Sequence, residues 1–127
     1  MISEFRTRLL LNESVAALIG SRLFSAGEGQ GQDLPRVNYH FISGVGSYSH
    51  SGPSGVLASR LQLDCIAETS VEAEAVAKAI KYAVDGYKGY WGDVRIDSVK
   101  VPLERMDRGD SGLYRYQLDL IVTHTEE

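Results

Sequence analysis

Cysteine is almost missing from this chain: Cys65 is the only one, so an intrachain disulfide and a cysteine-rich metal site are both excluded. Long apolar runs are missing too. The stretch Leu9 to Leu11 is far too short for a membrane span or for the core of a signal peptide, and Glu4 precedes it. An excess of basic charge is also lacking, with 13 Lys+Arg against 17 Asp+Glu and a formal net charge of -4. The modest clusters Arg6/Arg8 and Arg105/Arg108 make no stripe for a phosphate backbone, so neither nucleic acid nor membrane is an expected partner. An intracellular, reducing compartment is the expectation that fits these absences. With 127 residues there is material for one ordinary hydrophobic core, and residues 1–127 read as a single domain.

What the chain does have is a short echo. Arg60-Leu-Gln-Leu-Asp64 stands in the middle and Arg115-Tyr-Gln-Leu-Asp119 near the end. The first copy places Leu61, Leu63 and Cys65 on one face of a strand, and the second does so with Tyr114, Tyr116, Leu118, Leu120 and Val122. The polar partners Arg60, Gln62, Asp64, Arg115, Gln117 and Asp119 then fall on the opposite faces, open to solvent or to a neighbouring subunit. Cys65 shares a face with Leu61 and Leu63 and therefore reads as a buried thiol.

Around the echo, the pattern predicts an N-terminal helical segment from about Ser3 to Ile19, in one or two pieces, with Asn12 able to cap the second and Gly20 ending it. The glycines between Ser25 and Asp33 have no preceding strand signal and no lysine followed by serine or threonine, so they read as a connection rather than a phosphate loop. Val37 to Ile42 reads as a strand, and Ser43 to Gly55, rich in serine and glycine, as a second long connection with Tyr48 and His50 available for contact. Ser70 to Val84 is the clearest helix. Thr69 and Glu72 have capping-box spacing, Ala73, Val76, Ala77, Ile80, Ala83 and Val84 form its apolar stripe, and Glu74–Lys78 and Lys81–Asp85 are its i,i+4 pairs. Val94, Ile96 and Ser98, then Val99, Val101 and Leu103, alternate with a face change near Ser98-Val99 that predicts a bulge, and Arg108 to Gly112 is a turn. The expected fold is α+β: a mainly antiparallel sheet of about four strands, with the N-terminal helical segment and a central amphipathic helix packed on it.

Reactive constellations are weak. Asp64 and Asp119 would suit acid–base glycoside hydrolysis only if their strands were adjacent in a suitable register, and paired surface charges explain them as well. Asp93 and Asp97 add no compact metal cage, and His40, His50 and His124 lie in different elements. Arg108-Gly-Asp110 is a hairpin turn before it is an adhesion triplet. Tyr87, Tyr90 and Trp91 form an aromatic patch better suited to core closure or a protein interface than to a ligand. The expectation is no catalytic residue, no cofactor and no metal.

The order of these signals resembles a family. Val15-Ala-Ala-Leu-Ile-Gly20 followed by Arg22-Leu-Phe24, Val37-Asn-Tyr39, Gly52-Pro-Ser-Gly55, the first echo, the alanine-rich helix and Leu113-Tyr-Arg-Tyr-Gln-Leu-Asp119 are similar to tail-completion proteins of tailed phages and prophages, a group that includes tail terminators or tail-to-head joining proteins. The resemblance implies a structural subunit of virion assembly that self-associates, typically as a hexameric ring, at the head-proximal end of the tail. Its partners would be the tail-tube protein and a head-completion or connector protein, met in the bacterial host cytoplasm during assembly. It also makes Tyr48 and His50 on the Ser43 to Gly55 segment, and Arg60, Asp64, Arg115 and Asp119, candidate assembly-interface residues. A protein-binding or regulatory module outside phages is the alternative reading, with a small hydrolase using the paired aspartates a distant third.

Overall fold

The computed structural model describes residues 1–125 except 26, 27, 29, 30, 32, 50, 51, 110 and 111, with the side chains of 47–49 and 52–54 also left aside. Two helices open the chain, α1 (Ile2–Leu11) and α2 (Glu13–Ile19). The break between them is made by Asn12, whose extended backbone ends the first helix and whose side chain accepts a 3.1 Å hydrogen bond from the Val15 amide at the start of the second. Gly20 closes α2 at φ 60°, a conformation that costs glycine little.

Six strands follow: β1 (Leu23–Ser25), β2 (Arg36–Ser49), β3 (Gly52–Ala67), β4 (Gly89–Trp91), β5 (Val94–Arg108) and β6 (Tyr114–Thr125). Between β3 and β4 lies α3 (Ser70–Val84), started by Thr69, whose hydroxyl accepts from the Glu72 amide. They form one sheet in the order β1-β2-β3-β6-β5-β4, in which the β1–β2 pair is parallel and the other pairs are antiparallel. The expected four strands are thus six. The two extra ones have three residues each, too short to show a two-residue period.

One core joins the layers. Phe5 and Leu9 of α1, Val15 and Ile19 of α2, and Val76, Ile80 and Val84 of α3 meet Val37, Leu61, Leu63, Cys65, Ile96, Val99, Leu118, Leu120 and Val122 of the strands. Among the described residues, the other face of the sheet has no helical layer. Trp91 is buried against Phe5 and Tyr87, with ring centroids 5.3 and 5.7 Å away, so β4 closes the core beside α1, whereas Tyr90 turns outward. Burial pushes the Cys65 thiol far above its ordinary range, and Asp64 beside it adds to the effect, so this cysteine is inert.

Three expectations are corrected. The segment Ser43 to Gly55 is not a loose connection: β2 runs to Ser49 and β3 starts at Gly52, so all but its tip is a two-stranded arm held by backbone pairs such as Val45↔Ala58 and Tyr48↔Pro53. Serine and glycine hid it, because neither supplies apolar alternation. Leu103 does not continue the buried face of β5. A register shift between Lys100 and Leu103, after an earlier one between Ile96 and Ser98, turns Leu103 to the helix-free face opposite Asp119, where it is 53% exposed. Lys81 leaves Asp85 aside and bonds Glu104 of β5 at 2.7 Å; the Glu74–Lys78 pair does form, at 3.0 Å.

Candidate assembly surface

The echo strands are direct neighbours. β3 and β6 pair antiparallel with Gln62 opposite Asp119 and Asp64 opposite Gln117, so the two copies are offset by two residues. All six polar residues of the echo consequently lie on the helix-free face. The offset makes each arginine diagonal to the other copy's aspartate, within reach of long side chains. Arg60 takes that contact, with Nη2 3.2 Å from Asp119 Oδ2. Arg115 does not. Its neighbour β5 puts Asp107 directly opposite, and the guanidinium donates to both carboxylate oxygens of Asp107, from Nε at 3.1 Å and from Nη2 at 2.6 Å. β2, on the far side of β3, offers Arg60 no such acid.

Asp64 is the fixed point of this face. It is 6% exposed although no helix covers it, because neighbouring side chains fold over it. Oδ1 accepts from Gln117 Nε2 at 3.0 Å and Gln62 Nε2 at 3.3 Å, and His40 Nε2 lies 3.2 Å from Oδ2. Gln117 in turn accepts from Arg105 Nη2 at 2.7 Å. A polar ladder thus crosses four strands, from His40 on β2 through Asp64 on β3 and Gln117 on β6 to Arg105 on β5. The sequence shows its β3 and β6 rungs. The β5 rung is hidden by the second register shift, which exchanges the faces of every residue from Leu103 onward.

Electrostatics follow the pairs. The hydrogen bonds from Arg115 hold the Asp107 carboxyl below its ordinary value, and the same contact raises Arg115. On the helix side, Lys81 holds Glu104 low, while Tyr116 is raised first by burial and then by its 3.0 Å bond to Glu104.

Asp64 and Asp119 therefore sit on neighbouring strands of one face, each engaged by donors of its own chain. His40 lies on this face, whereas His124 is buried on the other, 2.8 Å from Ser59 Oγ, so these two histidines do not converge. Among the described residues, no group of three His, Cys, Asp or Glu side chains is placed to hold a metal ion. Among the described residues, no helix is long and apolar enough to cross a membrane. Tyr48 belongs to β2 through its pairing with Pro53, its side chain lying outside the described residues, as does His50 altogether.

The family model described as "Tail completion protein gp17" matches residues 4–125. The chain belongs to that family. Membership supports a structural role in the phage tail, and the match covers every element described above except the first two residues of α1. No curated protein matches. A chain from the virion of a native gene transfer agent (GTA) particle is similar in fold, with a TM-score of 0.69 at 16% identity over 96% of this chain and 92% of that chain. At this identity the likeness is one of fold. Among the described residues, the ladder face has no helix over it, and Phe41, Ile42 and Val45 of the arm's β2 strand are exposed.

Proposed function

We propose that the protein caps or completes the tail tube and mediates tail-to-head joining, working as a ring of identical subunits, six in number, at the head-proximal end of the tail. The observation that carries the reading is the family match over residues 4–125. A ring needs two different patches on each subunit that meet around a closing rotation, and closure stops the association from running on into a fibre. The arm containing Tyr48 and His50 serves as one patch. The ladder face serves as a second contact of its own, with Arg60, Arg115 and Asp119 bearing its charges and Asp64 holding the polar layer beneath them. Nothing in this work requires a transition state to be stabilised, so the role is not enzymatic. Assembly takes place in the host cytoplasm with the tail-tube protein and a head-completion or connector protein as partners.

Electron microscopy of the protein mixed with its cognate tail tubes tests this. A ring restricted to one end of the tube is the expected image. Binding along the tube wall, or none at all, refutes the reading.

A further inference from the structure

The two lateral edges of the sheet differ in how they are protected. β5, beyond its contact with β4, carries Lys100, Glu104, Arg105, Asp107 and Arg108, with Pro102 at a register shift. Charge, proline and bulges are the usual devices that keep an edge strand from recruiting another strand. The β2 edge has fewer. Among the described residues, its pairing with β1 stops at Tyr39. From there Phe41, Ile42 and Val45 are 50, 51 and 65% exposed, and between the register shifts at Phe41/Ser43 and Gly46/Tyr48 the run Ser43–Gly46 is regularly paired on its β3 side. The whole stretch from Val37 to Ser59, both strands of the arm, contains no Asp, Glu, Lys or Arg, in a chain that is 24% charged.

Resting on the ring reading, we infer that the Ser43–Gly46 edge of β2 is completed by strand addition in the assembled protein, and that the added strand comes from the arm of a second copy. An edge strand offers main-chain donors and acceptors in alternation, so its complement is an extended backbone. The absence of charge on both strands selects the occupant: a charged segment such as β5 would lose hydration against Phe41, Ile42 and Val45 without gaining an ion pair, whereas a second neutral arm loses none. The arm is this chain's charge-free extended segment, and in a ring it is present at high local concentration.

Hydrogen exchange of the full chain, read by residue at concentrations below and above assembly, is the test, together with native mass measurement. In the monomer the edge-facing amides of Ser43–Gly46 should exchange freely. On assembly these edge-facing amides should slow at least tenfold, while the amides between them, bonded to β3 in monomer and ring alike, stay protected throughout. Val45→Lys should shift assembly to at least tenfold higher concentration, and Val71→Lys, an exposed apolar control on α3 outside both the arm and the ladder face, should leave it unchanged. An assembled ring whose edge-facing Ser43–Gly46 amides stay fast overturns the inference and leaves the ring standing. Edge-facing amides already protected in the monomer also overturn it, since the chain then covers its own edge. A protein that stays monomeric at every concentration and on tail tubes overturns the ring reading as well.

Discussion

Asp64 Oδ1 accepts a 3.0 Å hydrogen bond from the Gln117 amide directly across from it, and this contact ties the two echo strands together on a face with no helical cover. Removing the carboxylate strands three donors at once, those of Gln117, Gln62 and His40. A buried, charged acceptor of this kind is worth about 2 kcal/mol. Asp64→Ala should therefore lower unfolding free energy in urea by about that amount, and Asp64→Asn by roughly half, because it keeps an acceptor oxygen. Arg60→Ala, on the exposed side of the same ladder, should cost less than about 0.5 kcal/mol.

Leu63 and Leu103 look alike in the sequence, each an aliphatic residue at the inward phase of an alternating strand. Leu63 is fully buried, and Leu103 is turned outward by the β5 register shift. Leu63→Ala should cost about 3 kcal/mol by opening a core cavity. Leu103→Ala should change stability by under about 0.5 kcal/mol. Urea melts of the two variants check the placement of the bulge, because equal losses would put Leu103 back in the core.

That pair also shows where the sequence was legible. Ser70–Val84 was readable to the residue, since capping chemistry at Thr69, a helical stripe and a stop at Gly86 agree with one another. β3 and β6 were readable through strict alternation, as was the division of α1 and α2 at Asn12. The arm was not, because its stability comes from backbone pairing with a partner strand and not from side chains that leave a pattern. The short strands β1 and β4 owe their pairing to tertiary neighbours. On the ladder, Arg60, Asp64, Arg115 and Asp119 announced themselves, while Arg105 and Asp107 were masked by a bulge one turn of alternation earlier than their own position, a non-local cause that composition does not record.

Acid should weaken the fold through Asp107 and Glu104. Both carboxyls have folded-state values below the ordinary ones, so their contribution is fully present above the unfolded value and is lost as pH falls through the folded one. The window is the descent through the ordinary carboxylate range and below it. Asp107→Asn and Glu104→Gln should each flatten the fall of the urea midpoint across that window while leaving its slope above about pH 6 unchanged. Because the Asp107–Arg115 pair is partly exposed, its share should not exceed about 1 kcal/mol.

Exchanging the partners of the Arg60–Asp119 pair separates folding from assembly. Arg60→Asp alone sets two acids side by side across β3 and β6, and Asp119→Arg alone sets two bases there, so each should lower the urea midpoint slightly and, on the ring reading, weaken assembly. The double exchange restores an opposite-charge pair at the same place and should recover the midpoint. Its effect on assembly then decides what the pair is for. If a neighbouring subunit reads the sign of these charges, the doubly exchanged protein should remain unable to form rings on tail tubes although its stability is normal. Recovery of both stability and ring formation would show that the pair serves only its own sheet, and the interface charges would then have to be sought at Arg115 or beyond the ladder.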